Sequence, residues 1–108
     1  MKLIIAIVQN KDAGKLRTKF VENNIMATKL ASSGSFLKTG NVTYLLAVQE
    51  TEVEKVLEII KENCSTRKQY VSPTSVLGID TNDHSAPYEV QVGGATVMIL
   101  PIEAFHQF

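Results

Sequence analysis

The chain has 108 residues, 11 of them basic and 11 acidic, with 44% apolar and 20% charged side chains. That length suits one domain over residues 1–108, and the composition is that of a folded chain, not a disordered one. A formal charge of zero excludes the basic excess of a non-specific nucleic-acid binder. Cys64 is the one cysteine, so no internal disulfide forms and a reducing compartment, the cytoplasm, is expected. The apolar run from Leu3 to Val8 is too short for a signal-peptide core and has no small-residue cleavage site behind it. No stretch approaches the roughly 20 apolar residues of a membrane span.

In chain order, KLIIAIVQ (2–9) is rich in β-branched residues and reads as a buried strand. KDAGKLRTKFVENN reads as a helix, with Asp12 as N-cap, Ala13, Leu16, Phe20 and Val21 on one face, and Asn23-Asn24 as the stop. IMATKLAS (25–32) reads as a second strand, SSGSFLKTG (32–40) as a loop of small residues, and VTYLLAVQ (42–49) as a third strand. The next helix is announced by a capping box, Thr51 with Glu54, and by the stripe Val53, Val56, Leu57, Ile60 and Cys64. RKQYVS (67–72) can supply a fourth strand. The polar segment from Pro73 to Pro87 reads as a long mobile loop. Strands at 88–92 and 95–100 flank Gly93-Gly94, which fits either a two-residue hairpin turn or a bulge.

This order predicts an α+β fold, a ferredoxin-like βαββαβ two-layer sandwich with additions near its end. The strands LIIAIV, YLLAV and ATVMIL are apolar almost without alternation, the pattern of strands buried on both faces. Two helices cover only one face, so other subunits are expected on the second.

No acidic residue occurs between Glu22 and Glu50. In that stretch Gly34 and Gly40 permit a nest of backbone N–H groups, Ser32, Ser33, Ser35 and Thr39 add hydroxyl donors, and Phe36 offers a ring. Together they suit a planar, negatively charged ligand such as a nucleotide. The plainer reading is a flexible connection with Phe36 tucked into the core. The loop lacks the Walker A spacing. His84 and His106 stand without partners at metal-binding spacing, and Cys64 on an apolar helix face reads as an inert buried thiol. No metal site and no nucleophile–base pair is expected.

The strings MKLIIAIVQ, NNIMATKLASSGSFLKTGN, VSP, VGGATVMILP and FHQF resemble the PII-like cyclic-di-AMP receptor family over essentially the whole chain. The run from Ala27 to Asn41, with the distant VGGATV and FHQF strings, is the specific part. The resemblance implies a bacterial, cytoplasmic homotrimer of PII-like subunits without catalytic activity or cofactor. Such proteins bind the second messenger cyclic-di-AMP between subunits, in clefts flanked by a shorter loop (here about 32–41) and a longer one (about 66–90). It implies ligand contacts at Asn24 and Thr28. It also implies an adenine-holding segment at Phe36, Leu37 and Asn41, and a pocket-edge glutamine at Gln107. Three positions depart from the family pattern. Met26 stands where Arg is usual, Ser35 follows Gly34 where GGF is usual, and Ala47 replaces a glycine. Met26 removes a phosphate donor, while Ser35 and Ala47 restrict backbone approach. These departures leave two alternatives. One is a divergent member that binds another adenine nucleotide; the other is a trimeric interaction protein without cyclic-di-AMP binding. A downstream protein partner is implied, but the sequence does not identify it.

Other classes fit poorly. An RNA-binding domain of βαββαβ order needs paired aromatics on its central strands and a basic surface, and these strands offer only Tyr44. A metal-linked trimer of similar fold needs more Cys and His than the chain has.

Overall fold

The computed structural model describes residues 1–30, 41–71 and 88–108. Expectations for the loops at 31–40 and 72–87, including Gly34, Ser35, Phe36, Leu37 and His84, lie outside the described residues. The elements are β1 (Lys2–Gln9), α1 (Asn10–Glu22), β2 (Thr28–Leu30), β3 (Asn41–Val48), a 3₁₀ turn (Glu50–Glu52), α2 (Val53–Cys64), β4 (Arg67–Val71), β5 (Tyr88–Val92) and β6 (Ala95–Pro101).

A four-stranded antiparallel sheet has the order β2-β3-β1-β6. This is the ferredoxin-like arrangement, with β6 in the place of its last strand. In β1, Ile4, Ala6 and Val8 are buried, while Leu3, Ile5 and Ile7 are only half-buried. The first set joins Leu16, Phe20, Val42, Tyr44, Leu46, Val56, Ile60 and Cys64 in one core beneath the helices. Phe20 meets Tyr44 edge to face at 6.1 Å, and the Tyr44 hydroxyl donates to the Ala13 carbonyl at 3.0 Å. That bond satisfies the polar end of a buried ring.

The second face is lined by the alternate residues of the same strands. Register sets Leu3 against Leu100, Ile5 against Met98 and Leu45, and Leu30 against Thr43. Met98, Leu100 and Leu30 keep 44%, 43% and 40% of their surface exposed. Burial on both faces, expected from the continuous apolar strands, is therefore not completed within one chain.

Several local expectations are corrected. Helix α1 starts two residues before Asp12, with Gln9 as N-cap. Asp12 lies buried in the first turn and pairs with Arg67 at 2.7 Å, so its carboxylate serves a tertiary contact. Val21 is 67% exposed, because the stripe of Ala13, Leu16 and Phe20 faces the sheet and Val21 falls beside it. The box of Thr51 and Glu54 makes no side-chain cap bond. Thr51 is already inside the 3₁₀ turn, and the chain enters α2 through that turn. The buried stripe of α2 is Val56, Ile59, Ile60, Asn63 and Cys64, with Val53 and Leu57 half-buried, and the Asn63 amide donates to the Ile59 carbonyl at 2.7 Å. Strand β2 begins at Thr28, not at residue 25, because residues 23–25 close α1.

The segment after α2 forms a strand, but not the fourth strand of the sheet. β4 pairs with β5 in a separate two-stranded ribbon, Arg67 opposite Val92 through Val71 opposite Tyr88. Gly93-Gly94 is therefore neither of the two alternatives. β5 pairs with β4 and β6 with β1, so the glycines are the corner at which the chain passes from ribbon to sheet. Their φ values are +82° and +105°, a region that glycine enters freely. The corner is tied down on both sides. The Gly93 N–H donates to Gln9 Oε1 at 2.9 Å and the Gly94 N–H donates to the Cys64 carbonyl at 2.5 Å.

Candidate functional site

The end of α1 shapes the first part of the site. Asn24 has φ +58°. Its N–H donates to the Val21 carbonyl at 3.1 Å and the Ile25 N–H donates to Phe20 at 2.8 Å. These two bonds are a Schellman motif, in which the residue after the helix adopts the left-handed conformation and asparagine is the favoured alternative to glycine. Ile25 then packs into the core with Phe20. The turn leaves Asn24 exposed and Met26 88% exposed, just before β2.

A concavity of about 400 Å³ opens here, lined by Arg17, Phe20, Val21, Asn24, Ile25, Met26 and Ala27. Thr28, the first residue of β2, pairs with Leu45. Ala47, two residues further along β3, is exposed on the same face and is thus a diagonal neighbour of Thr28. The structure therefore gathers Asn24, Met26, Thr28 and Ala47 at one end of the sheet.

Asn41 is at the other end. It is half-buried at the start of β3, opposite Gln9. It shares the face opposite the helices with Ala47, but six residues of strand separate them, roughly 20 Å. The tail that carries Gln107 leaves from the Ala47 end, where Pro101 pairs with Lys2 and the Ile102 N–H donates to the Met1 carbonyl at 3.1 Å. Gln107 is exposed, between His106 and Phe108, whose rings stack at 6.0 Å.

Two features escape a reading for motifs. Arg17 and Val21 belong to the concavity of Asn24 and Met26; the readable signal is the spacing i, i+4 of Arg17 and Val21 on one helix face, with Asn24 in the turn that follows. The Arg67–Asp12 pair has no sequence signal, since it joins residues 55 apart. That hydrogen bond raises the Arg67 pKa. Burial raises the Tyr44 pKa, and the positive charge of Arg17 partly offsets it.

Cys64 is fully buried, and burial followed by the charge of Asp12 pushes its pKa up to about 11. It is accordingly a thiol near neutral pH and a poor nucleophile. Among the described residues no group of three or more His, Cys, Asp or Glu is arranged to hold a metal ion. No described helix is long and apolar enough to cross a membrane.

Fold and site together define a small α+β protein of the PII-like class, its described candidate residues spread over the sheet face opposite the helices, the turns at its ends and the C-terminal tail. The sequence signature of the cyclic-di-AMP receptor family matches residues 1–108, and the chain belongs to that family. A crystal structure from Pediococcus pentosaceus ATCC 25745, described as that of a functionally unknown protein, is similar over 99% of this chain and 96% of its own. The two are 44% identical, with a TM-score of 0.80.

Proposed function

We propose that this protein is a nucleotide-binding signal transducer. It takes up cyclic-di-AMP between the subunits of a homotrimer in the bacterial cytoplasm and answers by changing the conformation of its loops for a protein partner. Each subunit is one PII-like unit with no catalytic role. Family membership over residues 1–108 carries the reading.

The site geometry supports it. Asn41 and the group of Asn24, Met26, Thr28 and Ala47 stand at opposite ends of the sheet, with Asn41, Thr28 and Ala47 on one face. A neighbouring copy can close such a divided set around a single small ligand. In this reading Phe36 and Leu37 hold an adenine, Gly34 and Ser35 supply backbone and hydroxyl donors, and Gln107 closes the pocket edge.

Calorimetric titration with cyclic-di-AMP, cyclic-di-GMP and ATP tests the proposal. Preference for cyclic-di-AMP is the expected result. Preference for ATP favours a divergent adenine-nucleotide sensor, and absence of heat with all three favours an interaction protein that has lost the sensing role. Phe36→Ala should weaken cyclic-di-AMP binding about tenfold to more than a hundredfold, the scale of a base–aromatic stack. Unchanged affinity in that variant would place the adenine elsewhere.

A further inference from the structure

The concavity at the end of α1 has an uneven lining. Val21 and Met26 form exposed apolar walls over a floor of buried Phe20 and Ile25. A helix C-terminus normally presents free carbonyl oxygens, which repel an anion. Here the carbonyls of Lys19, Phe20 and Val21 already accept N–H groups from Asn23, Ile25 and Asn24. Glu22, the carboxylate of the same turn, is taken by Lys19 at 3.4 Å.

Arg17 remains. Its side chain is exposed and lines the concavity, and among the described residues no carboxylate pairs with it. A planar guanidinium with five N–H donors beside an apolar wall fits a phosphate joined to a sugar and base. The volume, about 400 Å³, is at the small end of the range for ligand sites and suits one nucleotide half of a dinucleotide.

We infer that Arg17 is a phosphate-binding residue of this protein: its guanidinium holds one phosphate of cyclic-di-AMP over the concavity bounded by Asn24 and Met26. The assignment rests on the receptor reading above and deepens it. The aliphatic stem of Arg17 and the Met26 side chain then border the ribose, and Asn24 adds an amide donor.

The test is calorimetric titration of cyclic-di-AMP into the parent protein, Arg17→Gln, Arg17→Lys and Lys15→Gln, each at low and high salt, with sedimentation of every variant. Lys15 is the charge control. It is exposed on α1 but absent from the lining, and its charge is felt at Cys64 on the α2 side. Arg17→Gln should bind about tenfold to a hundredfold more weakly, the scale of a charge-assisted hydrogen bond, with a shallower salt dependence. Arg17→Lys should fall between parent and Arg17→Gln, since it keeps the charge and loses the fork. Lys15→Gln should stay within about twofold, as expected of a screened distant charge. Adding Met26→Arg to Arg17→Gln should restore affinity by returning a guanidinium to the same concavity.

Arg17→Gln binding as tightly as the parent overturns the assignment and leaves the receptor reading intact. So does an equal loss in Lys15→Gln, which marks a diffuse field, or a change of oligomeric state in Arg17→Gln without ligand, which marks a subunit contact. A parent protein that does not bind cyclic-di-AMP overturns both.

Discussion

Asn24, Asp12 and Cys64 show how one side chain can answer to more than one demand. Asn24 occupies a left-handed position that closes α1, so its residue type is explained by backbone geometry before any ligand is considered. Asp12 is buried and held by Arg67, and a carboxylate so placed anchors the fold. Cys64 is the sharpest case for measurement. Its pKa, pushed up to about 11, means the folded state holds the thiol proton more tightly than the unfolded chain, where it leaves near pH 8.5. The sign follows from linkage. The contribution is complete below about pH 8.5 and is lost as pH rises through about 11, by roughly 3 kcal/mol in all. Urea unfolding followed from pH 8 to pH 11 should therefore show a steeper decline in the parent than in Cys64→Ala. The native thiol should also resist an aromatic disulfide reagent at pH 8 until the protein unfolds. Rapid labelling of the folded protein would count against a buried, protonated thiol.

At the scale of elements, the ribbon of β4 and β5 meets the sheet at a glycine corner. A Cβ on Gly93 would lie 2.6 Å from Arg67 Nη1 and 2.7 Å from the Ser65 carbonyl oxygen. The first contact is with a flexible side chain already tied to Asp12; the second is with backbone and cannot yield alone. Gly93→Ala adds this clash to the penalty of its positive φ, about 1–2 kcal/mol for an L-residue in that region. The variant should lose at least that much stability in chemical denaturation. Its amide-exchange protection should fall at Arg67 and Val92, the paired residues nearest the corner. A variant with parental stability would show that the corner relaxes freely. The same joint explains why β6, not β4, completes the sheet. Gly94 bonded to the end of α2 and Gly93 bonded to Gln9 at the end of β1 deliver the chain directly onto the β1 edge.

At the scale of the whole molecule, the sheet face without a helix among the described residues is the outstanding fact. Helices bury the centre of one side of the sheet, although Ile99 at the β6 edge stays 42% exposed there, and the other side presents Leu30, Met98 and Leu100 more than a third exposed. A trimer whose subunits meet on this face would bury them. Leu100→Asp tests that arrangement, because it sets a charge beside Leu3 and leaves the helix-side core untouched. An unpaired charge buried at an interface costs several kcal/mol, enough to dissociate subunits at micromolar concentration. Sedimentation equilibrium should find the parent trimeric and the variant largely monomeric with helical content retained. A monomeric parent, or a trimeric variant, would remove this face from the assembly.

How much of this was legible beforehand depends on the range of the interaction. The apolar run of β1, the stripe of α2 and the stop at Asn23-Asn24 are written in neighbouring residues, because side-chain periodicity and backbone propensity act over a few positions. Family membership was legible for the same reason, through contiguous strings such as ATKLASSGSFLKTGN. The pairing of Asp12 with Arg67, the entry of β6 in place of β4 and the role of Gly93-Gly94 as a corner were not legible. Each joins segments distant in sequence, and local patterning is indifferent to which partner a strand or carboxylate will find. The site divides along the same line. Asn24, Met26 and Thr28 stand close together in sequence and are gathered at one end of the sheet. Their nearness to Ala47 and Arg17, and their separation from Asn41, were decided by strand register and helix packing, since only those fix which residues share a face and an end.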